Sequence, residues 1–296
     1  MDLTSLSNPL VTLDQLSSSS SQLDGLSTEL ENSIRFGGVQ LTEAAGVLLR
    51  LPQEVIAQAV VIFTRFYTGP EGGSFLINPV KDVSAASLYM IAKISAIPQT
   101  PRSVLNVYAY LSLTAPKSRM DAPSDRQRPD PESHYLTTGA YLAARTTLLQ
   151  TEAMILRALS FITKVVVPHH LALTFLQTLG VLPSPPTSKS RALAGRTISH
   201  LNTGLFSPQL LYLTHQPTAL AVAAIYVAAK EIGVNLPCSE WWEVFDVDRE
   251  ELGFLVVGLG SSRLWAEQES RKWVEGKCPL TVEEIMLEME RGREVQ

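Results

Sequence analysis

From Gln22 the chain settles into a rhythm in which apolar residues return every third or fourth position, and the rhythm holds, with interruptions, to about residue 260. Leu23, Leu26, Leu30 and Ile34 open it on one helical face, and Gly37-Gly38 reads as the end of that first helix. A second helix is predicted through Ala44, Ala45, Val47, Leu48 and Leu51. Pro52 stops it and suits the first turn of the next, whose stripe is Ile56, Ala59, Phe63, Phe66 and Tyr67. After a Gly-rich break at 69–73, Asn78-Pro79 is expected to open a helix ending near Lys93, with further helices over 101–114 and about 135–160. Beyond Pro168 the pattern gives about 169–182, 188–204, 217–233, 240–246 and 248–260. Extended runs are scarce, and the best of them, residues 163–167, ends at Pro168 and reads as a short connection.

Within this rhythm one helical phrase is written twice. Residues 85–93 read Ala-Ala-Ser-Leu-Tyr-Met-Ile-Ala-Lys and residues 222–230 read Val-Ala-Ala-Ile-Tyr-Val-Ala-Ala-Lys, so that Ala86/Ala223, Tyr89/Tyr226, Ala92/Ala229 and Lys93/Lys230 coincide. A helix apolar nearly all round is a buried one, and small residues let neighbours approach it from every side. A Lys in the last turn suits the negative end of the helix dipole. The repeat is too long for a solenoid and fits two tandem domains. The predicted fold is therefore all-α: two five-helix bundles, an N-terminal helix and flexible tails.

Residues 1–21 carry a five-Ser run and no sustained period, and are expected to form a disordered tail. The first bundle with its leading helix is assigned to 22–165, the second to 166–262, and a tail to 263–296. In that last tail Thr281 and Glu284 form a capping-box signature for one short helix. Residues 116–131, rich in Pro, Ser, Arg and Asp, read as an exposed loop in which Asp121, Asp125 and Asp130 nearly cancel Arg119, Arg126 and Arg128. The 45% hydrophobic content of 296 residues suffices for two cores, and the formal net charge of −5 gives no broad basic footprint for nucleic acid. No apolar run reaches a membrane span. Two cysteines, Cys238 and Cys278, without an apolar leader predict a reducing compartment and no disulfide framework.

Several motifs that could carry chemistry read better as structure. Gly69-Pro70-Glu71-Gly72-Gly73 follows a helix and lacks the Lys-Ser/Thr of a phosphate loop. The adjacent histidines His169-His170 do not share a helix face and have no third ligand at metal spacing, so a capping or packing role is expected. Trp241-Trp242 is expected to put one ring in the second core and the other over its edge. Cys238 has no basic neighbour to lower its pKa. Neither catalytic residues nor metal or cofactor sites are predicted.

Two charges stand where apolar residues belong. Glu152 lies in the middle of the stripe Leu148, Leu149, Ile155, Leu156 and Leu159, and Lys93 follows Tyr89 and Ala86 on theirs. A carboxylate in such a place is costly unless a cation meets it. Either the two pair with each other or escape at the bundle rim, or they stand on an apolar surface kept open for a partner, where desolvated ion pairs fix register.

Two tandem five-helix bundles, with a Lys ending the third helix and a Glu in the fifth, resemble the cyclins. The run Glu43-Ala44-Ala45-Gly46-Val47-Leu48-Leu49-Arg50-Leu51-Pro52-Gln53, with Phe63-Thr64-Arg65-Phe66-Tyr67 behind it, is similar to the transcription-associated branch and to cyclin L most closely. The resemblance continues through Arg102-Ser103-Val104-Leu105-Asn106-Val107, Pro168-His169-His170 and Trp241-Trp242-Glu243-Val244-Phe245, covering about residues 22–262. It implies that Lys93 and Glu152 hold the regulatory helix of a cyclin-dependent kinase, and that the chain is a nuclear regulatory subunit of a transcription or pre-mRNA-processing kinase rather than an enzyme. Cyclins commonly place two glutamates where this chain has Ser95-Ala96. They also carry, in the cell-cycle branch, a helix-one Met-Arg-Ala-Ile-Leu patch that is absent here. The alternative is a basal-transcription-factor-like pair of cyclin folds contacting polymerase or DNA, which would call for basic helices and a zinc ribbon.

Overall fold

The computed structural model describes residues 6–114, 135–237, 239–272 and 278–294, and these are all-helical. In chain order the helices are α1 (Leu13–Ser17), α2 (Ser20–Leu23), α3 (Thr28–Leu48), α4 (Gln53–Phe66), α5 (Val80–Ile94), α6 (Pro101–Thr114) and α7 (Thr138–Ala158). They continue with α8 (Pro168–Thr178), α9 (Ser188–Gly204), α10 (Leu211–Thr214), α11 (Pro217–Ile232), a 3-10 turn at Trp241–Phe245, α12 (Arg249–Lys272) and α13 (Val282–Glu294). They form two compact units: Leu13–Thr163 with the chain from Gln268 onward, and the chain up to Thr12 with Lys164–Glu267.

In the first unit α5 is the hub, packing against α3, α4, α6 and α7. Its small residues explain the position: Ser84, Ala86, Ser87 and Ala92 are fully buried and hold neighbouring backbones close. A chain of buried hydroxyls stitches three helices together, Thr42 Oγ1 meeting Ser84 Oγ at 2.6 Å and Ser84 Oγ meeting the Tyr108 hydroxyl at 2.6 Å. Thr42 donates onward to Gly38 O, so Ser84 donates to Thr42 and Tyr108 to Ser84, and every hydroxyl proton of the series finds an acceptor in the core. Below them Tyr67 stacks on Phe75 with ring centroids 3.8 Å apart and donates to the Asn78 carbonyl. In the second unit α11 holds the corresponding place, packing against α8, α9, α10 and the 3-10 turn. Residues Ala219 to Ile225 of α11 are all buried.

Three sequence expectations need correction. Gly37-Gly38 does not end a helix, for α3 runs unbroken through both. A Cβ on Gly38 would come within 2.9 Å of Phe63 and Val80 side-chain carbons, and one on Gly37 within 2.8 Å of Cys278 Sγ. These glycines serve close packing, which in one dimension looks the same as a stop signal.

The second correction concerns residues 6–21, which are ordered although they have little apolar surface. Their polar groups bond instead of burying: Ser19 caps α2 by accepting from Gln22 N–H, Ser20 N–H donates to Gly69 O, and Ser21 Oγ accepts from Phe75 N–H. Asn8 is buried and closes a four-bond clasp, two bonds with the Val166 backbone and two with the Gln216 side chain. The extended connection at 163–167 thus finds its partner in the N-terminal segment.

The third concerns residues 263–296. α12 extends to Lys272, well past residue 262, and the following segment packs on α3: Cys278 Sγ donates to Ser33 O, Lys272 pairs with Glu29, and Ile285 is fully buried. The capping box at Thr281 and Glu284 forms as expected. The loop at 116–131 and Cys238 lie outside the described residues.

Candidate functional site

Lys93 occupies the last turn of α5, where the chain leaves the core. The helix ends at Ser95, whose N–H reaches back to Ile91 O and Ala92 O and whose hydroxyl donates to Ala92 O at 2.8 Å. The same hydroxyl accepts from Ile97 N–H at 3.1 Å. Ser95 therefore spends its polar atoms on closing the helix. Thr100 then caps α6 through Ser103 N–H, and Pro101 stands at its first position, where no amide is missed.

Glu152 sits midway along α7 between buried Leu148 and Ile155, and is only 6% exposed. α7 packs against α5, and this brings the two charges together: Lys93 Nζ donates to Glu152 Oε1. The two are unequal. The Glu152 side chain is 8% exposed and that of Lys93 46%, so the ammonium stands at the edge of water while the carboxylate lies beneath it. Lys93 Nζ also lies 5.2 Å from the centre of the Tyr89 ring, which fixes the stem of the side chain by cation–π attraction. An ammonium has three donors, and one bond to Glu152 leaves two for other acceptors at this half-exposed edge.

The elements that carry this pair are unusually apolar at their surface. Ile94, next in the chain after Lys93, is 64% exposed, and Ile97 follows it into solvent. Leu149, one helical turn before Glu152, is exposed as well, as are Leu142 on the same helix and Phe161 and Ile162 just past its end. Large apolar side chains are thus exposed on the elements that carry a partly desolvated ion pair.

The other residues singled out in the sequence take structural places. His169 is buried in the first turn of α8, with Nε2 2.9 Å from Asn202 Oδ1. Trp241 is buried and Trp242 half-buried at the edge of the second unit. Among the described residues there is no group of His, Cys, Asp and Glu arranged to hold a metal, and no helix long and apolar enough to cross a membrane. Sequence periodicity gave no sign of an open cavity in the second unit, lined by Tyr226, Lys230, Trp241 and Trp242, because it lies between one face of α11 and the non-helical chain that follows, whose path no helical period records.

No family model matches the chain. Among curated proteins it is similar to Cyclin-L2 of Homo sapiens, with 29% identity over 84% of this chain and 44% of that protein. It is likewise similar to the cyclin L homolog cyl-1 of Caenorhabditis elegans, with 29% identity over 86% of this chain and 53% of the other. The chain thus spans about half the length of the curated relatives it matches. Among solved structures it superposes on a chain of the yeast RNA Pol II CTD kinase CTDK-1 complex with a TM-score of 0.67, covering 97% of this chain and 84% of that one at 13% identity. A viral cyclin from herpesvirus saimiri superposes with a TM-score of 0.54 over 81% of this chain and 87% of its own, at 15% identity. These likenesses are of fold.

Proposed function

Because the chain is a cyclin-family protein most similar to cyclin L, we propose that it is the regulatory subunit of a cyclin-dependent kinase of the transcription or pre-mRNA-processing class, acting in the nucleus. The observation that carries the reading is the Lys93–Glu152 pair at the exit of the central helix, flanked by exposed Ile94, Ile97 and Leu149. The likeness to a chain of an RNA Pol II CTD kinase complex supports a kinase as the partner.

The mechanism is a population shift. A kinase is active only when its mobile helix lies inward, with the helix Glu paired to the phosphate-binding Lys. A protein that binds only the inward state displaces the equilibrium by its differential affinity. Here Ile94, Ile97 and Leu149 supply apolar contact. The remaining donors of Lys93 take backbone carbonyls of the kinase helix, and Glu152 holds that ammonium in place. Where other cyclins add two acidic side chains, Ser95 is engaged in closing α5, so the polar recognition rests on the Lys93–Glu152 pair.

The test is recovery of the tagged full chain from nuclear extract, followed by phosphorylation of a polymerase-tail peptide. A co-purifying kinase whose turnover depends on the chain, with the purified chain inert by itself, is the expected result. Polymerase or promoter DNA recovered in the kinase's absence would favour a basal-transcription-factor-like adaptor instead.

A further inference from the structure

The second unit repeats the Lys–Tyr device of the first but omits its carboxylate. Lys230 closes the hub helix α11 as Lys93 closes α5, and Lys230 Nζ lies 5.3 Å from the Tyr226 ring centre, matching the 5.2 Å of Lys93 over Tyr89. Lys93 is answered by Glu152; Lys230 has no ion-pair partner among the described residues. It opens instead on a cavity of about 710 Å³ whose walls are Tyr226, Trp241 and Trp242 on one side and the 233–237 turn on the other. The nearby acid, Glu231, is already used: Arg196 donates to it and His200 lies 3.0 Å away, and the bond from Arg196 above all pulls its carboxyl down to about 2.

Trp242 of the same wall also carries an unmatched polar atom, which lies beneath the cavity surface. Trp242 Nε1 is shut away from water and has no acceptor, although the ring as a whole is only half-buried. A buried donor without an acceptor costs free energy that a ligand able to accept from it recovers. Cations offset the negative end of the helix beside the cavity. Gly233 takes the left-handed turn, Val234 N–H returns to Ala229 O, and Lys189 Nζ donates to Gly233 O, so these two carbonyls are covered and a second ammonium is brought near.

We propose that this cavity is a docking site for a short acidic segment of a partner protein. An Asp or Glu carboxylate of the segment takes the place that Glu152 fills in the first unit, accepting from Lys230 and from the Trp242 indole as that ring turns toward it. A neighbouring apolar side chain lies against Tyr226, Trp241 and Trp242. The site is separate from the Lys93–Glu152 surface and does not depend on the kinase reading.

The experiment follows the indole N–H resonance of Trp242 in the full chain, identified by its loss in Trp242→Phe, during titration with the peptide acetyl-Asp-Leu-Asp-Phe-amide. A saturable shift of that resonance is expected. The isosteric acetyl-Asn-Leu-Asn-Phe-amide should bind about tenfold or more weakly, and so should the acidic peptide to Lys230→Gln, since a charge-assisted bond is lost in each case. Kinase activation by Lys230→Gln should match wild type, which separates this site from the function proposed above. The proposal is overturned if the acidic and amide peptides bind alike, if Lys230→Gln leaves the titration unchanged, or if a single-stranded oligoribonucleotide moves the resonance at lower concentration than the peptide.

Discussion

At the scale of single residues, the part Lys93 and Glu152 play in the fold can be separated by experiment from the part proposed for them in binding. Within the chain the pair neutralises a carboxylate that is 6% exposed; in the proposed complex it would aim an ammonium at the kinase. Because the ammonium is close to half exposed, Lys93→Ala should cost the fold only about 1–2 kcal/mol, well below the cost of breaking a fully buried pair. Kinase binding should fall further, by about 2–5 kcal/mol, which is roughly 1.5 to 3.5 decades, since the partner's polar groups are left unpaired. The exchange Lys93→Glu with Glu152→Lys distinguishes the roles. It restores an internal ion pair and should recover the melting temperature, yet it presents the wrong charge to the kinase helix and should not recover activation. Parallel thermal melts and kinase titrations decide the matter, and full rescue of both would make the pair purely structural.

At the scale of elements, the fold depends on helices that approach closely, and glycine has two opposite meanings in them. Gly38 of α3 lies against Phe63 and Val80, so Gly38→Ala should destabilise by about 1–3 kcal/mol through overpacking, more than the helix propensity it gains. Gly195 of α9 meets nothing within 4 Å, and Gly195→Ala should stabilise by about 0.5–1 kcal/mol through backbone entropy alone. Urea denaturation of the two variants should move the midpoint in opposite directions. A loss at both positions would mean that α9 packs against something at Gly195 in solution.

At the scale of the whole molecule, residues 6–21 and 278–294 are structural parts. Residue Ile285 of α13 is fully buried in the first unit, and Ile285→Ala should cost about 2–4 kcal/mol, comparable to other core truncations. Asn8 ties the N-terminal segment to the second unit, and Asn8→Ala strips partners from the Val166 amide and carbonyl, at a cost of about 1–3 kcal/mol. Each loss is read as a lowered melting temperature by circular dichroism. Unchanged melts in both variants would return the ends to the role of free tails.

The helical class, the tandem repeat and the two conspicuous charges were legible in the sequence, because each is a matter of spacing along one helix: Tyr89 and Lys93 recur as Tyr226 and Lys230, and Glu152 breaks an apolar stripe whatever surrounds it. Tertiary structure alone decided that Lys93 and Glu152 meet, since a contact between α5 and α7 depends on how two helices cross. It also decided that Gly37-Gly38 is a place of close approach, that Ser21 and Asn8 satisfy distant backbone groups, and that Lys230 faces a cavity in place of a carboxylate. Periodicity reports which face of a helix is apolar. Polar partners far apart in the chain, and atoms left without one, are fixed only when the helices pack.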